Sequence, residues 1–229
     1  MNYKSTILPS EAQDAITQMN ELGKQGTPFL FVIDYEMKKP IVIPLSDLDQ
    51  HEIYFKINEL SHLPIPATVI EKKVSFEKHP ISFEEYAASF RIVKDHLQRG
   101  NSFLINLTKP TPITLNLSLS EIFERSQAKY QLLFKDEFVL FSPETFVRIQ
   151  DGIISSHPMK GTIDATLPNA EANILANKKE LAEHATIVDL IRNDISMVAE
   201  KVWVERFRYI DRLRTNEGEL LQVSSEICG

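Results

Sequence analysis

Apolar residues recur along this chain at two periods, and each change of period marks a change of element. Phe83, Tyr86, Phe90, Val93 and Leu97 fall three and four apart, so a helix is expected that lays this stripe on a core until Gly100 stops it. Ser82-Phe83-Glu84-Glu85 in front of it has the form of a capping box. Ser10-Glu11-Ala12-Gln13 has the same form after Pro9 and predicts a helix to about Leu22, with Gly23 and Gly26 bracketing its end. Ser118-Leu119-Ser120-Glu121 predicts a short helix to about Ser126. The strongest helical pattern follows Asn169, running from Ala170 to about Met197 with a break near Asn177. There Leu181, Ala185, Val188 and Arg192 share one face, and Glu180, Glu183, Ile187 and Leu190 follow a neighbouring one. Glu183 is therefore expected at the margin of a buried surface, where a carboxylate is expensive unless paired or on a metal.

Shorter apolar or alternating runs predict strands at Pro28–Asp34, Ile41–Ile43, Glu52–Ile57, Ser102–Thr108, Tyr130–Phe134, Glu137–Phe141 and Thr145–Gln150. Asp151-Gly152 is a hairpin turn signal, returning the chain along Ile153–Ser156. Val202–Ile210 and Leu220–Ile227 are the last two strands, joined by a turn at Asn216-Glu217-Gly218. Asn106 is unusual within a strand and implies either a structural hydrogen bond or a substrate contact. Pro64, Pro66 and Pro80 make residues 61–81 a linker or edge excursion. The expected fold is α+β: a small α/β segment over 1–60, the excursion, and a larger region over 82–229 continuous with the first segment.

Composition narrows the function. The net charge is −7, with 25 Lys+Arg against 32 Asp+Glu, which argues against nucleic-acid binding. No apolar run approaches the roughly 18 residues of a membrane span. The opening segment lacks the apolar core of a signal peptide, and a single cysteine, Cys228, cannot form an internal disulfide. A cytoplasmic enzyme or binding protein is expected, with no membrane partner. The six histidines show no zinc-site spacing, so a metal would be held by carboxylates, which favours Mg²⁺.

One stretch, Ser155-Ser156-His157-Pro158-Met159-Lys160-Gly161-Thr162, sets a lysine between a proline-stiffened approach and a Gly-Thr exit. It reads as an ordinary turn with a solvated lysine or as a lysine held in place. Its surroundings favour the second. Tyr86 to Thr108 resembles a "Y…I..G…Q.NL" segment, Phe141–Phe146 resembles "SPE.F", Pro158–Thr162 resembles "PIKGT", Lys179–Asp194 resembles "KE.AEH..IVDL.RND", and Val223–Gly229 resembles the start of "HLVS..EG". In this order these are motifs of the chorismate-utilising enzymes, and the similarity covers roughly residues 83–229.

That resemblance implies a layered α/β/β/α domain of packed antiparallel sheets with outer helices. In the family, lysine before Gly-Thr accompanies the aminodeoxychorismate synthases, whereas anthranilate synthases carry alanine there. Lys160 would then be the nucleophile on chorismate and Glu144 its acid/base partner, unless Glu144 is only a strand-end salt bridge. Gly161 and Thr162 would line the substrate site. Glu183 would be one Mg²⁺ ligand, unless it is only a helix surface charge; Asp189, Arg192 and Asp194 would form a structural polar network. A glutamine amidotransferase subunit would supply ammonia. The family's histidine aligns with Gln222, and its later motifs have no counterpart here, so the fold is expected to be incomplete at the C-terminal end and the chain to have little or no synthase activity by itself. Two other readings are an anthranilate or isochorismate synthase relative, and a non-catalytic partner-binding module. For the last, an exposed apolar strand Leu220–Ile227 would favour self-association.

Overall fold

The computed structural model describes residues 8–50, 52–63, 73–215 and 218–229. Helix α1 (Ser10–Gln25) precedes strands β1 (Phe29–Val32) and β2 (Ile41–Pro44), a 3₁₀ helix over Leu45–Gln50, and strands β3 (Ile53–Ile57) and β4 (Leu60–His62). Strand β5 (Phe76–Lys78), helix α2 (Phe83–Gln98), strand β6 (Ile113–Leu115) and helix α3 (Leu119–Arg125) follow. Then come β7 (Tyr130–Phe134), β8 (Phe138–Ser142), β9 (Arg148–Gln150), β10 (Ile153–Ser156) and β11 (Met159–Asp164). Helices α4 (Ala170–Ala176) and α5 (Lys178–Ser196) lead to β12 (Trp203–Thr215) and β13 (Gly218–Cys228). The mixture of helices with exclusively antiparallel pairings among the described strands is the expected α+β class. No helix among the described residues is long and apolar enough to cross a membrane.

The chain divides into two units, residues 1–64 with 125–229, and residues 65–124. In the first, a five-stranded sheet is built on β13, which pairs with β12 along one edge and with β11 and β10 along the other, β9 extending it beyond β10. Alternation along β13 explains its placement: Leu221, Val223, Ser225 and Ile227 are all buried, and Ile227 packs with Val188 and Ile195 of α5. This overturns the expectation of an exposed Leu220–Ile227 edge. A strand buried on one face and paired on both sides has no free edge to offer a second copy. A four-stranded sheet, β4-β3-β7-β8, buries Ile53, Phe55 and Phe134 with Ile43 and Leu48.

In the second unit, Ser82 caps α2 by accepting from the Glu85 amide at 3.2 Å. Ser118 and Glu121 close a reciprocal capping box at 3.2 and 2.7 Å. At α1 the box does not form. Pro9 is the N-cap residue, and the Ser10 hydroxyl turns to Glu11 instead. Two further expectations fail here. Helix α2 buries none of its residues, and Phe83 is 78% exposed, so the aromatic stripe lies on no core among the described residues. Ser102–Thr108 is not a strand, because no partner strand pairs with it, and Asn106 is exposed. The expected turn at Asn216-Glu217 and the prolines Pro64 and Pro66 lie outside the described residues.

Candidate active site at the lysine bulge

The β9–β10 hairpin turns at Asp151 and Gly152, both at positive φ (53° and 77°). After Ser156 the chain passes Pro158, whose carbonyl accepts the Ser225 amide at 3.1 Å. Strand β11 then lies on β13, Met159 opposite Ser224 and Thr162 opposite Gln222. Three residues are spanned on one strand against two on the other, so Lys160 and Gly161 form a β-bulge. A bulge re-aims side chains. Met159 and Thr162 keep the face of their partners Ser224 and Gln222, whereas Lys160 turns to the helices.

Gly161 permits this. Its φ is +91°, and a Cβ there would stand 3.1 Å from Glu180 Oε2 and 3.6 Å from Ile174 Cδ1. The lysine stretch is thus a bulged strand and not a turn.

Helix α5 lies across the bulge. Asn177 caps it, its side chain accepting from the Lys179 and Glu180 amides at 3.0 and 3.2 Å. Its buried stripe is His184, Val188 and Ile195, with Ile191 partly buried. The expected stripe through Leu181 and Ala185 is displaced by about one position, because the helix turns its histidine to the sheet. Glu183 stays at the margin, as anticipated, and meets Lys160 Nζ at 2.8 Å; the two side chains are 29% and 39% exposed. Lys179 stands 3.6 Å from the other Glu183 oxygen.

The pairing raises the Lys160 pKa, with the Glu183 hydrogen bond first and partial burial opposing it. It lowers that of Glu183. A nucleophilic amine needs a lowered value, so the lysine is held here in its charged form.

Glu144 follows β8. Its amide donates to Ser142 Oγ at 3.1 Å. The residue as a whole is exposed, yet nearby chain strips enough water from its carboxyl to raise its pKa, the Met159 amide opposing. Thr162 is exposed opposite Gln222, whose buried Oε1 has no hydrogen-bond partner. Asp189 and Arg192 form only a surface pair at 3.4 Å.

Sequence reasoning missed a buried knot beside the bulge. His184, fully buried, shares a 2.7 Å hydrogen bond between Nε2 and Ser225 Oγ. Ser225 Oγ also accepts the Arg208 amide at 2.9 Å. Arg208, at φ 54° in a bulge of β12, donates from its guanidinium to the Ile174 and Leu175 carbonyls at the end of α4. Two adjacent serines within the apolar run of β13 were the available signal.

The opposite face of the sheet borders a cavity of about 760 Å³, lined by Lys56 and Phe141 of the other sheet and by Met159, Asp211 and Arg214.

As for a metal, no group of three His, Cys, Asp or Glu side chains comes together among the described residues. Mg²⁺ commonly takes one or two carboxylates and fills its shell with water and substrate oxygens. Glu183, with Glu180 one turn earlier against Gly161, is a donor set of that kind.

Residues 46–229 match the family described as "chorismate binding enzyme". The chain belongs to this family. It is 51% identical over 225 residues to an "Uncharacterized PabA-like protein" of Haemophilus influenzae, covering 96% of this chain and 66% of that protein. It is 27% identical over 205 residues to aminodeoxychorismate synthase component 1 of Klebsiella aerogenes, covering 84% of this chain and 44% of that protein. The chain thus spans two thirds or less of these relatives' lengths. Among solved structures, a Bacillus anthracis protein assigned as a 2,3-dihydroxybenzoate-specific isochorismate synthase matches with TM-score 0.58 and 17% identity, over 97% of this chain and 61% of that one. That likeness is one of fold.

Proposed function

We propose that the chain carries part of the site of a chorismate-aminating enzyme of the aminodeoxychorismate synthase type. The observation supporting this reading is Lys160, set on a glycine-softened bulge with its amine against Glu183. A surface lysine trails in water; this one is held. In the reaction, the neutral Lys160 amine adds at C2 of chorismate while the C4 hydroxyl, protonated by Glu144, leaves as water. Ammonia then adds at C4 as the C2–N bond breaks and the lysine departs, giving 4-amino-4-deoxychorismate. A glutamine amidotransferase subunit supplies the ammonia.

Glu144 suits its part because its raised pKa keeps a proton available at higher pH than an ordinary glutamate would. Gly161 lines the substrate site beside Lys160 on the helix side of the bulge, and Thr162, whose side chain faces the other way with Gln222, contributes through its backbone. Glu183, aided by Glu180, would hold Mg²⁺, and the ion would serve to orient the ring carboxylate of the substrate. Glu183 must release Lys160 before the amine can act, since the pairing holds the proton on the lysine.

The test is peptide mapping by mass spectrometry after incubating the chain with chorismate and Mg²⁺. A chorismate-derived adduct at Lys160, absent from Lys160→Ala, supports the reading. Normal amination by Lys160→Ala in an enzyme assembled with its ammonia source overturns it.

A further inference from the structure

We propose that Arg208 is a positioning residue for Lys160, acting through the elbow between α4 and α5; this rests on Lys160 being the working lysine. A single residue, Asn177, separates the two helices, and a break of that kind strands backbone groups on both sides. The amides beyond the break are met by the Asn177 side chain, which accepts from Lys179 and Glu180. The carbonyls before it are met by Arg208, whose two terminal nitrogens donate to Leu175 at 2.8 Å and to Ile174 at 3.1 Å. Both halves of the elbow are therefore fastened by side chains. One fastening comes from β12, across β13 from the bulge.

An arginine is a costly choice at this position. Its φ of 54° lies in the left-handed region, which glycine and asparagine enter with less strain. The backbone is held there by its amide, donated to the buried Ser225 Oγ at 2.9 Å. A strained backbone that carries a guanidinium where a glycine would rest more easily has its reason in the side chain.

The elbow sits over the lysine bulge. A Cβ added at Gly161 would stand 3.6 Å from Ile174 Cδ1 of α4 and 3.1 Å from Glu180 Oε2 of α5. One helix thus touches the bulge on each side of Asn177. Glu183 lies about one turn beyond Glu180 and meets Lys160 Nζ at 2.8 Å. If the elbow opens, α5 swings about Asn177 and carries Glu183 off the amine. The pairing of Glu183 with Lys179, 3.6 Å apart within the same helix, does not depend on the elbow. Arg212 also reaches α4 from β12, but it ends on the exposed Glu171 side chain, a contact of the kind that contributes little.

The experiment is zero-length cross-linking of the folded chain with a water-soluble carbodiimide, which joins an amine to a carboxylate it touches. Peptide mass spectrometry reads the Lys160–Glu183 product against the Lys179–Glu183 product. Arg208→Gly removes the guanidinium and relaxes the backbone, and the ratio should fall about tenfold, the scale of one hydrogen bond from a charged donor. Ethylguanidinium, which restores the lost donors, should bring the ratio back within about twofold of wild type. Tetramethylammonium at the same concentration has no N–H to give and should not. Ile53→Ala, at a buried position of the other sheet, weakens the fold away from the elbow and should stay within about twofold of wild type.

A ratio in folded Arg208→Gly within about twofold of wild type overturns the proposal. So does an equal fall in Ile53→Ala, or equal rescue by the two cations. If Arg208→Gly does not fold, Arg208→Asn, which also tolerates the left-handed region, decides by the same readings. The ratio reports a contact and involves no chorismate, so its failure is distinct from a failure of the Lys160→Ala test.

Discussion

Replacing Gly161 by alanine perturbs the bulge at its softest point, and Gly152→Ala provides the control. Gly152 has φ 77° with nothing within 4 Å of an added Cβ, so only the conformational penalty of about 1–2 kcal/mol applies there. The alanine also narrows the unfolded ensemble, returning about 0.4–1 kcal/mol. A net loss of about 0.5–1 kcal/mol is therefore expected for Gly152→Ala. Gly161, at φ 91°, adds a contact at 3.1 Å to Glu180 Oε2 and at 3.7 Å to its Cβ. The Glu180 carboxylate must swing aside to make room, and a turn off its preferred rotamer costs about 0.5–1.5 kcal/mol. Gly161→Ala should thus lose about 1–2.5 kcal/mol, read from urea unfolding with unchanged m. A value for Gly161→Ala within about 0.3 kcal/mol of Gly152→Ala would refute the close approach of α5 to the bulge, since additive controls agree to that level.

Other outcomes follow from the same geometry. The Glu183 pKa is depressed by Lys160 first, so the pair's contribution is present above the ordinary carboxylate range and lost as pH falls through the depressed value. Lys160 is raised, so its share is present below the ordinary lysine range and lost as pH rises through the raised value. Both side chains are partly exposed, so Glu183→Gln should cost only about 0.2–1 kcal/mol at neutral pH, converging on wild type in acid denaturant melts. Glu144 has a raised pKa: the folded state binds its proton more tightly than the unfolded state, so stability falls as pH rises through that range. Glu144→Gln should then be slightly more stable than wild type at pH 7, and NMR titration should find the Glu144 midpoint above 4.5. Ile227, fully buried against Val188 and Ile195, should cost about 2–5 kcal/mol as alanine, measured by the same urea melts.

Much of the α5 site was legible because helical spacing and the Lys179–Asp194 motif are local signals. They gave Glu183 at the edge of a buried face, and it stands there. The bulge was not legible, because a one-residue mismatch exists only between β11 and β13, which lie about sixty residues apart in sequence. The same holds for His184, whose burial depends on Ser225 and Arg208. Local reasoning failed most plainly at α2. A periodic aromatic stripe states which face is apolar, not that something covers it. Leu220–Ile227 failed for the opposite reason: its apolar character was right, but its two neighbouring strands come from earlier in the chain.

The central place of β13 governs the order in which the five-stranded sheet can assemble. During synthesis β9 and β10 can close their hairpin at once, since Ile153 pairs with Gln150 across a two-residue turn. Ser155 must wait for Cys228 and Met159 for Ser224, so β11 emerges without its ladder partner. Helices α4 and α5 are likewise made before the strand whose buried face they cover. Such long closures slow folding and leave apolar surface open meanwhile. The lysine bulge, defined only by a mismatch against β13, is therefore among the last features of this sheet to take shape.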